Sequence, residues 1–240
     1  MRHFRADEND RRSHPIRLKS STLAMQKPCV RRGEGWMRNG LGFWAASVSG
    51  VAAAGYGVVQ AMQVFGSLKF PFDEYLIFGF SILIATPFVI AIAALHYTVP
   101  AEKRMWTHAA TAVAAMYATL VSLVYMTELF VTVPARLHGA AAKVAAITLN
   151  QHSFFWAVDA LGYVLMSVAA LLAAGALCRR GFDGWLRLFL VLHGIQAPVI
   201  VLILWRPELV LWGSGWVVTG PGMMALMAAR FLRAPAKVQP

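Results

Sequence analysis

Six apolar stretches, each longer than 20 residues, occupy most of the chain: 41–65, 75–98, 108–133, 153–177, 185–205 and 208–229. A helix rising about 1.5 Å per residue crosses a hydrocarbon layer of about 30 Å in roughly 20 residues, so every stretch is long enough. Lipid offers no partner to an unpaired backbone N–H or C=O, so a crossing segment must satisfy its own backbone, as a helix does. The sequence therefore predicts an all-α polytopic membrane protein, a bundle of six transmembrane helices over 41–232. Arg206-Pro207 alone separates the last two stretches, which allows only a tight helical hairpin. The balance of side chains agrees: 58% are hydrophobic and 14% charged, where a soluble domain carries about 25% charged. The two cysteines, Cys29 and Cys178, cannot build a disulfide framework.

Residues 1–40 have a different character. They hold ten Lys/Arg and four Asp/Glu with almost no apolar periodicity, the composition of a disordered basic tail. No apolar run there suits a signal peptide, and Met25 and Met37 each offer an alternative start. Residues 233–240 form a short basic C-terminal tail. With the N-terminus in the cytoplasm, 18 of the 22 Lys/Arg fall on the inner side. Only Lys69, Arg136, Lys143 and Arg206 fall outside, so the positive-inside bias predicts an N-in/C-in topology. The net charge of +11 then faces anionic lipid headgroups, and the expected partner is the lipid bilayer, with no nucleic acid. Trp44, Trp106, Trp156, Trp185, Trp205 and Trp212 lie near span ends, where an amphipathic indole anchors at the interface. The Ala-rich stretch 139–149 is expected to form a short helix on the outer surface. Nothing in the sequence speaks to oligomeric state.

Polar groups inside the spans carry the functional signal, because they are costly to place there. Glu128 and Asp159 are the two intramembrane acids. Glu128 lies about 7–8 Å below the expected outer end of span three, and Asp159 about 9 Å below that of span four. Gln60 and Gln63 reach the same layer from span one. Tyr117, Val121, Tyr125, Glu128 and Thr132 share one helix face, as do Asp159, Gly162, Tyr163 and Met166. Helices three and four are expected to pack together, with Tyr125 and Tyr163 as hydrogen-bond partners of the acids. One reading is an outward-opening polar cavity with two titratable acids, which would attract a cation or exchange protons. The other is a structural hydrogen-bond cluster. His193, deep in span five with Gln196 one turn on, reads as a packed histidine or a ligand and proton-relay residue. Pro87, Pro198 and Pro221 lie inside spans, and Gly220-Pro221-Gly222 is expected to interrupt helix six. Ala46, Gly50 and Ala54 offer a small-residue face for close helix packing.

Enzyme signatures are missing. There is no H-E-x-x-H and no P-loop, and Gly213-Ser214-Gly215 lacks the G-x-S-x-G spacing of a serine elbow. A b-type haem needs facing axial histidines, and only His193 is deep. No lysine lies deep enough for a Schiff base. No cofactor or metal is expected.

The stretch from Phe155 to Tyr163, with Met166 and the Ala/Leu-rich run after it, resembles a family of uncharacterised bacterial multi-pass integral membrane proteins, over about the first four spans. That resemblance implies a bacterial inner membrane and a native polar role for Asp159, and no activity. The leading expectation is a small-molecule, cation or proton-coupled binder or transporter. The alternative is a structural or accessory membrane protein without chemistry of its own; a membrane enzyme acting on lipid or quinone ranks last.

Overall fold

The computed structural model describes residues 34–233, with side chains from residue 39. The basic tail assigned to 1–40 therefore lies largely outside the described residues, as does all but the first residue of the C-terminal tail. The chain forms α1 (Glu34–Val64), α2 (Phe72–His96), α3 (Arg104–Thr127), α4 (Val133–Leu137), α5 (Ala141–Val144), α6 (Phe154–Ala176), α7 (Gly181–Gly194), α8 (Ala197–Ile203), α9 (Val210–Gly213) and α10 (Trp216–Arg233). A π-helical turn, Glu128–Thr132, joins α3 to α4. No strand occurs among the described residues. Six segments are long and apolar enough to cross a membrane: Asn39–Val64, Phe72–His96, Ala101–Leu137, Phe154–Ala176, Gly181–Ile203 and Pro207–Arg233. They match the six stretches read from the sequence to within a few residues at most ends, and are compatible with an integral membrane protein.

The long helices close into a ring. α1 packs on α2 and α10, α2 on α3, α3 on α6, α6 on α7, and α7 on α10. The interior is filled by Phe88, Ile92, Leu186, Leu190, Met223, Met224, Met227 and Phe231. Outside, Val51, Val58, Leu83, Leu123, Leu161 and Leu188 stand exposed. A surface this apolar suits contact with lipid tails and not with water.

Small residues set how closely the helices approach. On α1, Gly42, Gly50 and Gly57 face Phe231, Met224 and Val217 of α10 in antiparallel order. A Cβ at Gly57 would lie 2.6 Å from a Val217 methyl. The close face thus shares Gly50 and the buried Ala46 with the expected stripe, while Ala54 points away from it. Antiparallel pairing brings the start of α1 and the end of α10 to one end of the bundle, called here the terminal end. The 65–71, 138–153 and 204–209 connections form the loop end. At the terminal end Arg230 of α10 donates to Asp183 at 2.9 Å and to Thr98 at 2.5 Å. Arg187 covers two carbonyls at the end of α6, Ala174 and Leu177.

Prolines act unevenly. α2 runs unbroken past Pro87, and the Ser49 hydroxyl of α1 donates to the nearby Ile84 carbonyl at 3.2 Å. Span three does not stop before Pro134, as its sequence suggests, but continues to Leu137. The wider π turn just before Pro134 separates the ring from the preceding carbonyls, the clash that otherwise ends a helix. Glu128 therefore lies deeper than expected, about 13 Å from the end of its span.

Spans five and six are both broken in their loop-end halves. Span five divides at Ile195-Gln196, with Pro198 opening α8. Span six divides at Ser214-Gly215, before α10. The interruption expected at Gly220-Pro221-Gly222 does not occur: α10 runs continuously from Trp216 to Arg233. Pro221 falls in the second turn, where it forfeits one backbone bond only. The glycine after it serves packing, since a Cβ at Gly222 would lie 2.3 Å from the Phe189 ring of α7.

Candidate functional site

The two breaks release the α8–α9 hairpin from the ring. α8 packs on α6, and a cavity of about 580 Å³ opens between the hairpin, the end of α1 and the starts of α6 and α10. Its upper wall is apolar, with Val64, Phe65, Ile200, Ile203, Leu204 and Leu211. Its deep part is lined by Tyr56 and Gln60 of α1, Trp156, Asp159 and Tyr163 of α6, and Trp216 of α10. The cavity is thus mainly apolar with a polar, aromatic floor that holds Asp159, where the sequence suggested a polar cavity with two acids.

The floor is built by ring stacking across four helices. Tyr56 meets Trp216 edge to face with centroids 4.8 Å apart, and Tyr163 lies 6.0 Å from Trp216. Behind them the Tyr125 and Tyr163 hydroxyls share a hydrogen bond of 3.0 Å. Tyr125 also lies against the Asp159 carboxylate, and Tyr56 against Tyr163. Phe78 stacks on Tyr125 and Phe88 meets Tyr117 edge on, which fixes both α3 tyrosines from the α2 side. Gly162 allows this assembly to close, since a Cβ there would lie 2.5 Å from a Val121 methyl of α3. Two polar atoms at this floor are buried without a hydrogen-bond partner among the described residues: Asp159 Oδ1 and Trp156 Nε1.

Glu128 is placed otherwise. It is 1% exposed and does not line the cavity. Its carboxylate accepts from the Thr132 hydroxyl and from the backbone N–H of Leu149. The second bond fastens the 145–153 connection onto the π turn, and Ile147 and Leu149 pack on the core beside it. Arg136 stands near and binds Glu74 through two contacts of 2.6 and 2.7 Å, with its guanidinium 4.4 Å from the Phe70 ring centre. The partners expected for the acids are therefore redistributed. Tyr125 lies against Asp159 and shares its hydrogen bond with Tyr163, whereas Glu128 takes a threonine and a backbone amide.

The remaining sequence candidates separate. Gln60 lines the cavity, but Gln63 points away and donates to Asp73 at 3.0 Å. His193 is buried at the span-five break, with Nδ1 3.1 Å from the Thr219 hydroxyl. Gln196 donates to the same hydroxyl at 2.8 Å. His193 thus ties the two broken spans together below the cavity and is not among its lining residues. His96 and His108 approach at the terminal end, with ring centres 6.1 Å apart. Among the described residues no three His, Cys, Asp or Glu side chains gather as a metal site.

Three cavity residues escaped the sequence reading: Tyr56, Trp156 and Trp216. Trp156 was assigned to the interface by its place near a span end, yet it turns inward. The available signals were Gly55-Tyr56-Gly57 and Gly213-Ser214-Gly215-Trp216, each an aromatic beside small residues that admit close neighbours. The expected surface helix over 139–149 shrinks to the single turn Ala141–Val144, and Val144 is buried. No protein-family model, no curated protein and no solved structure matches the chain.

Proposed function

We propose that this is a multi-pass membrane protein that binds a small molecule in the Asp159 cavity and carries it as a transporter, with cation or proton coupling through the Asp159 carboxyl. One observation carries the reading: a cavity large enough for a small molecule ends on an acid with an unpartnered oxygen, between two interrupted spans. Burying an acid without satisfying it is costly unless something else partners it. Broken helices that meet around a cavity are the usual way transporters admit irregular backbone at membrane depth. A carboxyl there can hold a proton or a cation in turn, which is what coupling requires. The bias of 18 of 22 Lys/Arg supports N-in/C-in, with the loop end and the cavity mouth outside. The resemblance of residues 155–163 favours a bacterial inner membrane.

Native mass spectrometry of the purified full chain tests the cavity itself. Ala160 lines it, and Ala160→Trp should fill it. A small molecule that co-purifies with the wild type and is absent from Ala160→Trp is the expected result. A ligand retained unchanged by that variant would place binding elsewhere. Glu128 supports the structural alternative for its own region, because its bonds are complete within the fold.

A further inference from the structure

The cavity floor also selects among ligands, and this step rests on the cavity reading above. Asp159 is the one ionisable carboxyl among the lining residues, and no Lys, Arg or His stands with it. An anion would meet this carboxylate with no counter-charge, and a neutral apolar ligand would leave it unmatched. Around the acid stand the rings of Tyr56, Tyr163, Trp156 and Trp216. Their faces attract a cation, tryptophan most of all. Walls of Val, Ile and Leu then suit an apolar body and offer nothing to a second charge. We infer that the cavity takes an organic monocation, a protonated amine on an apolar or aromatic body, with the ammonium held between Asp159 and the ring faces of Trp216 and Tyr56. A zwitterionic lipid headgroup carries the same ammonium beside a phosphate, and no lining residue brings a positive charge to that phosphate. The free amine is therefore the occupant.

Three probes of one shape separate the possibilities: N,N-dimethylbenzylammonium, its uncharged carbon isostere isobutylbenzene, and phenylmethanesulfonate. Their binding to the full chain in phosphatidylglycerol nanodiscs is measured by equilibrium dialysis at pH 7 against empty nanodiscs. The ammonium should bind at least about tenfold tighter than isobutylbenzene, since a cation–π contact and a charge pair each contribute about a factor of ten. The sulfonate should not bind. Asp159→Asn should cut the preference for the ammonium about tenfold, the share of the charge pair, and leave isobutylbenzene binding unchanged. The ratio in the wild type decides even where that variant fails to fold. Equal binding of ammonium and isobutylbenzene, or a preference for the sulfonate, would overturn the amine and keep the cavity. Binding of none of the three above the empty nanodisc would overturn both. Exchange of phosphatidylglycerol for phosphatidylethanolamine, both at high salt to screen the surface charge, should leave the ammonium affinity unchanged, and its loss would assign the ammonium site to a lipid headgroup instead of a free amine.

Discussion

Glu128 opens the π turn that continues α3, Asp159 sits on the neighbouring α6, and both are intramembrane acids by sequence. Their surroundings differ in one respect. The Glu128 region is closed: a hydroxyl and a backbone amide reach the carboxylate, and Arg136 and Glu74 pair beside it. The Asp159 region is open: the carboxylate borders a cavity and one oxygen has no partner among the described residues. The difference comes from the chain around each acid. A long connection folds back over Glu128 and delivers the Leu149 N–H. Over Asp159 the broken ends of spans five and six leave a cavity. Residue type at a given depth thus says that an acid is costly, and the local backbone says whether the fold or a ligand offsets that cost.

The strongest way to disturb this contrast is at Arg136. Arg136→Met leaves Glu74 and Glu128 together without their cation, and the pair is only partly exposed. The expected loss is about 2 kcal/mol, between the values for surface and buried pairs. It should be read as a lowered thermal-unfolding midpoint in detergent, with probe binding in the cavity of the folded fraction unchanged. A smaller effect is expected from Thr132→Val, which removes one hydroxyl from the Glu128 carboxylate at nearly constant volume. That loss is about 1.5 kcal/mol, the low end for a hydrogen bond to a charged group, because the Leu149 amide still holds the carboxylate. A loss as large as that of Arg136→Met would show that Thr132 does more than donate. The least effect is expected on the open side. Leu211 is exposed on the α8–α9 hairpin, and Leu211→Ala should shift stability by no more than about 0.5 kcal/mol. Amide exchange followed by mass spectrometry should sharpen the same contrast, with Ser214 and Gly215 exchanging before Ile147 and Leu149.

Hydropathy made the six spans legible, because length and apolar content are what a membrane demands of a helix. Helical periodicity likewise placed Tyr117, Val121, Tyr125, Glu128 and Thr132 on one inward face, and all five are buried. Partnership was not legible. The Leu149 amide lies 21 positions from Glu128, and no periodicity reports where a loop returns. The positions of the prolines do not by themselves report the breaks either. Pro134 passes because a π turn precedes it, and Pro221 passes because it falls early in α10. The break in span six occurs instead at Ser214-Gly215, where no proline stands. Whether an indole faces lipid or cavity is also beyond a count from the span end, as Trp156 shows beside Trp44 and Trp212, both exposed.

The most direct test sets the two acids side by side as Glu128→Ala and Asp159→Ala, with the thermal-unfolding midpoint of each purified variant compared with the wild type. Glu128→Ala strands the Leu149 N–H and the expected cost is about 1–3 kcal/mol, read as a clear fall in the midpoint. Asp159→Ala removes a carboxylate with an unpartnered oxygen, while Tyr125 keeps its bond to Tyr163; its midpoint should stay at or above that of the wild type. An equal fall in both variants, or a fall in Asp159→Ala alone, would contradict the division into an acid satisfied by the fold and one left open to the cavity.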